Sequence, residues 1–287
     1  MLPRCSELAA ELPMAGSAAE ATAYLLLEHP GPWAHQAVAG TGWPEEVLEH
    51  LADPHGVRLQ LIRRPGRAPR PGVIRAFAVY ADPVAPRAVT TELADPTELL
   101  GLDLEGLAAG HLPDWAEHAE PLYLVCTNGR RDQCCALQGR PIALALAAHH
   151  PDETWETTHL GGHRFAGTML LLPGGWCYGR LDPKAALDAI AASERGDLVV
   201  GQLRGRTAYP SVVQAAEIAL RERLGCNDAG ALTVESVEAD SPEVVVIFRV
   251  DGERHPVRAT PRTLPPARLS CADERGKPAT VFDVHPA

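Results

Sequence analysis

Residues 122–141, LYLVCTNGRRDQCCALQGRP, open as a short apolar strand that runs into Cys126, turn at Asn128-Gly129, and reach Cys135. Residues 154–165, TWETTHLGGHRF, follow a matching plan: an alternating strand delivers His159, a Gly161-Gly162 turn follows, and His163 comes next. Between them RPIALALAAHH (140–150) has the composition of an apolar helix, opening at Pro141 near its first position. Strand, helix and strand in this order indicate an α/β unit with its reactive groups on the loops that follow the strands. The spacing is C-x8-C, then H-x3-H.

Two thiolates and two imidazoles complete a four-ligand set for one zinc ion or one iron–sulfur cluster. Structural zinc sites usually begin with C-x2-4-C, because one tight knuckle offers both sulfurs to a single ion. An eight-residue gap makes a wider loop, better matched to a two-iron rhomb. Rieske centres also combine two Cys with two His, but in mixed Cys–His pairs, whereas here the cysteines stand together and the histidines stand together.

Outward from this segment, TMLLLP (168–173) and WCYGRL (176–181) form an expected hairpin across Pro173-Gly174-Gly175. DPKAALDAIAASERG (182–196) is a helix with Asp182 as N-cap and Gly196 as stop. SVVQAAEIALRERLG (211–225) is amphipathic, with Val213, Ala216, Ile218 and Leu220 as buried candidates. Upstream, strands are expected at 21–29, 57–64 and 73–81, and a helix at 43–53. The Arg-rich loop RRPGRAPRPG (63–72) has the composition of a solvated turn or a docking patch for an acidic partner. Downstream, three strands with an Asp251-Gly252 hairpin turn precede a Pro-rich tail that carries Cys271. The expected organisation is an N-terminal α/β domain (1–112), a central α/β domain (113–228) and a small antiparallel β extension (229–287). The first two share a coarse strand–helix order, as an old duplication would leave.

Composition narrows the function classes. The chain has 287 residues, 26 basic against 37 acidic, and a net charge of −11, which disfavours a nucleic-acid partner. No apolar run approaches a membrane span, and the N-terminus lacks the pattern of a signal peptide. Seven unevenly spaced cysteines do not resemble a secreted disulfide framework, so a cytoplasmic location is expected.

CTNGRRDQCC, the helix after it and HLGGHRFAGTMLLLPGGWCYGRL together resemble the sucrase/ferredoxin-like family of thioredoxin-like [2Fe–2S] proteins, over most of residues 20–226. The resemblance implies a thioredoxin-like ferredoxin domain whose cluster is held by Cys126, Cys135, His159 and His163. The family spacing selects Cys135 over Cys134, which becomes a buried spacer or a reserve thiol. Cys5, Cys177, Cys226 and Cys271 are expected to be structural or incidental. Arg130, Arg131, Arg164 and Arg180 are candidates to neutralise cluster charge, and Asp132 to bond the backbone N–H groups of the cysteine loop. His149 and His150 suit a helix C-terminus better than a metal. No carboxylate pair supports glycoside chemistry.

The implied function is an electron carrier, with an unidentified redox partner protein and proton-coupled redox chemistry at the histidines, rather than a stand-alone enzyme. A thiol–disulfide oxidoreductase and a zinc-stabilised binding module are the alternatives, although C-x-x-C is absent.

Overall fold

The computed structural model describes residues 3–67, 70, 72–240, 242–273 and 275–287. After a single-turn helix α1 (Cys5–Leu8), the run AYLLLE forms strand β1 (Ala23–Glu28), buried along nearly its whole length. A strand buried on both faces needs this kind of continuous apolar sequence rather than alternation. Helix α2 (Glu45–Ala52) buries Val47 and Leu51 and returns the chain to β2 (Arg58–Arg63), parallel to β1. Strand β3 (Ile74–Tyr80) then pairs antiparallel with the other side of β1, and β4 (Arg87–Leu93) forms a hairpin with β3. A short helix α3 (Leu104–Ala108) and a two-residue strand β5 (Ala116–Glu117), paired to β4, complete this half.

The plan is then built a second time. Strand β6 (Leu122–Cys126), helix α4 (Gln133–His149) and strand β7 (Thr154–Thr157) form a parallel crossover unit. Strand β8 (Met169–Leu172) pairs antiparallel with β6, and β9 (Trp176–Tyr178) forms the expected hairpin across residues 173–175. Helix α5 (Pro183–Ser193) is capped by Asp182, whose side chain accepts from the Ala185 N–H. In each half the crossover pair is parallel and the hairpin adds to the outer side of its first strand. The halves meet through an antiparallel contact of β2 with β7, where Ile62 faces Thr157 and Arg63 faces Glu156. With β10 (Leu203–Arg206) at one edge, the result is a single ten-stranded mixed sheet ordered β10-β9-β8-β6-β7-β2-β1-β3-β4-β5.

Helix α6 (Ser211–Leu224) ends on Gly225 in the left-handed conformation and packs Val213, Ala216 and Leu220 against a second sheet. That sheet contains β11 (Thr233–Asp240), β12 (Glu243–Val250), β13 (Glu253–Ala267) and β14 (Lys277–Pro286), antiparallel in chain order. Asp251 and Gly252 both have positive φ, as a tight hairpin turn requires. The chain is therefore mixed α/β with a small C-terminal antiparallel sheet. Among the described residues, no helix is long and apolar enough to cross a membrane.

Two expectations need correction. Helix α4 begins at Gln133, well before Pro141, which lies inside it. Asp132 provides the start by accepting from the Cys134 N–H. The proline deprives the Leu137 carbonyl of its partner, but Leu137 is 47 % exposed, so water can take that role. The Pro-rich C-terminal segment is not a tail: β13 continues through it, and β14 pairs with β13. In the loop at 63–72, Ala68, Pro69 and Pro71 lie outside the described residues. Its described arginines are largely committed within the molecule. Arg63 pairs with Glu156, Arg70 with Glu92, and Arg64 donates to the carbonyls of Asp152 and Thr154.

Candidate metal centre

Cys126 is the last residue of β6, and Cys135 lies in the first turn of α4, so both sulfurs gather where the strand ends and the helix begins. Unpaired backbone N–H groups at a helix N-terminus favour negative charge, which suits a thiolate. Close packing of helix on strand depends on Gly139. A Cβ there would fall 2.1 Å from the Cys126 carbonyl oxygen, so any larger residue would drive α4 away from β6. Both sulfurs are buried, with Cys126 0 % and Cys135 1 % exposed.

His159 lies just beyond β7, and its Nδ1 faces the sulfurs of Cys135 at 3.8 Å and Cys126 at 4.0 Å. These three ligand atoms lie within 4.8 Å of one another. The other ring nitrogen, Nε2, faces His163 Nδ1 at 3.3 Å, with the two rings stacked. His163 Nε2 is directed to the buried Asp132 carboxylate, with Oδ2 at 3.9 Å. The structure thus brings all four expected ligands together as a chain of contacts, with His163 outermost and its side chain 17 % exposed.

The local electrostatics favour one anionic sulfur. A hydrogen bond from Cys135, reinforced by His159, holds Cys126 well below the ordinary thiol pKa despite its burial. The same hydrogen bond, together with burial, pushes Cys135 up. A metal bound by both would have to displace the shared proton. Burial lowers the pKa of His163, opposed by the charge of Asp132. Burial acts to raise that of Asp132, but backbone N–H groups of Cys271 and Cys134, with His163, outweigh it and hold the carboxylate low.

Two arginines that the sequence reading did not single out fix the histidine loop. Arg204, fully buried on β10, donates through Nη1 to the Gly161 carbonyl at 2.9 Å and through Nη2 to the Ser17 carbonyl. Gly162 has φ +68°, and a Cβ there would fall 2.3 Å from Arg204 Nη2. The glycine pair therefore lets a buried guanidinium lie against the loop backbone. Arg58, on β2 of the N-terminal half, donates to the His159 carbonyl at 3.2 Å. The signal for both was the Gly-Gly turn itself, which marks a place of close approach without naming what approaches.

The other candidates divide. Asp132 bonds the cysteine loop as expected. Arg131 contacts the His35 ring, and both line a shallow cleft with His163, Arg164, Ser270 and Lys277. Arg130 lines a different cleft, with Trp33 and Arg140. Arg180 does not face the centre: its guanidinium donates to the carbonyls of Ala9 and Leu12 and ties down the N-terminal segment. His149 bonds the Ala145 carbonyl within its own helix, and Cys177 is buried on β9. Cys134 points away from Cys135, toward Cys5 and Cys271.

The donor set suits a metal. Cys126, Cys135 and His159 Nδ1 form a group that could hold a metal ion, whereas the 3.3 Å contact to His163 is made by His159 Nε2, on the far side of the ring from the sulfurs. The family model described as sucrase/ferredoxin-like matches residues 14–205, about two-thirds of the chain, and the protein belongs to that family. No curated protein and no solved structure matches it.

Proposed function

We propose that the protein is an electron carrier with one [2Fe–2S] cluster, bound by the sulfurs of Cys126 and Cys135 and by the imidazoles of His159 and His163. The observation that carries this reading is the gathering of two buried sulfurs and His159 Nδ1 on two neighbouring loops, with the His163 ring stacked against His159; ligation by both histidines requires one ring of that pair to turn from its present contact. A two-iron cluster needs one pair of ligands per iron, and a thioredoxin-like unit with ligands on two neighbouring loops would present them in that way. When bound, such a cluster supplies a one-electron couple.

The chain's own residues then have separable roles. Cys126 and Cys135 hold the buried side and exclude water. His163, if it ligates through Nδ1, retains a proton on Nε2, opposite the Asp132 carboxylate. Burial lowers the pKa of that ring and the Asp132 carboxylate opposes the shift, so the carboxylate is the group that would support coupling of proton and electron uptake. Arg131 and Arg164 rim the outermost histidine, in a chain that is acidic overall, while Lys277 beside them is paired with Asp273 at 2.5 Å. A redox partner with an acidic docking face fits that rim.

The spacing of Cys126, Cys135 and His159 Nδ1 also favours a second reading, a mononuclear zinc site that only holds the loops together. Thiol–disulfide exchange fits less well, because neither sulfur is accessible to a disulfide substrate. Anaerobic purification separates the readings. The cluster predicts a red-brown protein with about two iron and two sulfide per chain. It also predicts a reduced-state EPR signal that is lost in Cys126→Ser and kept in Cys134→Ser. A colourless protein containing zinc and no sulfide would overturn the cluster in favour of the zinc site.

A further inference from the structure

A second group of sulfurs lies on the opposite side of Asp132. Cys134 Sγ is 3.6 Å from Cys5 Sγ and 3.4 Å from Cys271 Sγ, and Cys271 Sγ is 3.6 Å from Cys5 Sγ. Both Asp132 carboxylate oxygens lie 3.7 Å from Cys5 Sγ. The three cysteines come from helix α1, the first turn of α4 and the segment between β13 and β14, each more than a hundred residues from the others in sequence. The family match ends at residues 14 and 205, so two of them lie outside the region that defines the family.

We propose that Cys5, Cys134 and Cys271, with a carboxylate oxygen of Asp132, bind one zinc-like thiophilic divalent cation. Sulfurs bound to a tetrahedral zinc at about 2.3 Å stand about 3.8 Å apart, and a sulfur and a carboxylate oxygen about 3.6 Å apart. The observed spacings fall within a few tenths of an ångström of those edges, so the donors need little rearrangement. Three mutually adjacent sulfurs also cannot be paired off by one disulfide without leaving a thiol over. Asp132 is already oriented, accepting from the N–H of Cys134 at 2.9 Å and of Cys271 at 2.8 Å, and from Ser270 Oγ at 3.0 Å. Ser6 Oγ donates to Cys134 Sγ at 3.4 Å, a bond that would stabilise a thiolate. Arg268 bonds the carbonyls of Pro3 and Cys271 beside the site, where its charge offsets part of the anionic donor set. Binding releases the thiol protons to solvent, so affinity rises with pH.

The test uses the full-length chain carrying Cys126→Ser and Cys135→Ser, titrated with Co²⁺ alone. One Co²⁺ per chain with the intense visible bands of a tetrahedral thiolate site is expected, and Zn²⁺ should displace it. Adding Cys271→Ser should weaken binding by more than about 100-fold, since changes in merely supporting residues already cost 10- to 100-fold. Absence of those bands, or bands unchanged by Cys271→Ser, would overturn the proposal. The wild-type protein loaded with Zn²⁺ provides an independent measurement if that variant folds poorly. Alkylation of that protein should spare Cys5, Cys134 and Cys271 until a chelator is added, and their reaction in the zinc-loaded protein would overturn the proposal. A disulfide between any two of the three in protein kept under reductant would refute the assignment.

Discussion

Replacing Gly139 with alanine tests whether the seat of helix α4 on strand β6 sets the sulfur spacing. In most helices this change is favourable, by about 1 kcal/mol of propensity. Here the new Cβ would lie 2.1 Å from the Cys126 carbonyl oxygen, about 1.3 Å inside the 3.4 Å at which ordinary contact begins. The obstacle is strand backbone rather than a flexible side chain, so the cost belongs at the upper end of overpacking, about 3 kcal/mol. The clash exceeds the propensity gain and leaves a net loss of about 2 kcal/mol, or about 4–8 °C in Tm for a chain of this size. Relief by moving α4 separates Cys135 from Cys126, so metal content should fall further than stability alone implies. Thermal melts and metal analysis of Gly139→Ala, with Gly101→Ala as control, check both effects. A Cβ at Gly101 meets nothing within 4 Å, and its substitution should change stability by less than about 0.5 kcal/mol. An unaltered melting temperature and full metal content in Gly139→Ala would refute the reasoning.

Arg204→Met removes the donors to the Gly161 and Ser17 carbonyls and should cost about 2–3 kcal/mol in urea denaturation while lowering metal content, although Arg204 touches no ligand atom; normal metal content would remove it from the histidine-positioning role. Cys177→Ala should cost about 1–2 kcal/mol for the lost buried sulfur and leave metal content unchanged, as metal analysis of the folded variant would show. Glu217, buried beside Arg221 at 2.9 Å, has its pKa raised above the ordinary 4.5 by burial, an effect the Arg221 charge opposes. Its native state therefore holds a proton longer than its unfolded state, a stabilisation complete below about pH 4.5 and lost as pH rises through the folded value. Glu217→Gln cannot undergo that loss, so its urea midpoint relative to wild type should climb across this interval, and a constant or falling difference would contradict the burial argument.

Local signals carried much of the fold. The apolar runs at β1 and β6, the hairpin at 173–175, the Asp182 cap and the Asp251-Gly252 turn each state their conformation within a few residues. What escaped was tertiary. Strand β14 is partly exposed and flanked by prolines, so only its pairing with β13 defines it. Helix α4 begins earlier than its apolar stretch because Asp132 caps a segment that looks like loop, and Pro141 suggested a start where there is an interior. The gathering of Cys126, Cys135 and His159 was legible because strand ends and glycine turns bracket them. The grouping of Cys5 and Cys271 with Cys134 was not, because chain separation of that length leaves no trace in spacing. Arg58 and Arg204 escaped for the same reason, since they reach the histidine loop from strands on either side of it.

The seam between β2 and β7 bears on how the chain can be divided. Each strand is the outer member of its own five-stranded half, so separating the halves would expose the backbone groups that now pair across the seam. Open edges of that kind are templates for pairing with other chains. A fragment limited to residues 113–228 would carry Cys126, Cys135, His159 and His163, yet it would present β7 uncovered and lose the Arg58 bond to the His159 carbonyl. Such a fragment should self-associate through that edge, and its tendency to aggregate would reflect the missing neighbour rather than any defect in the metal-binding loops.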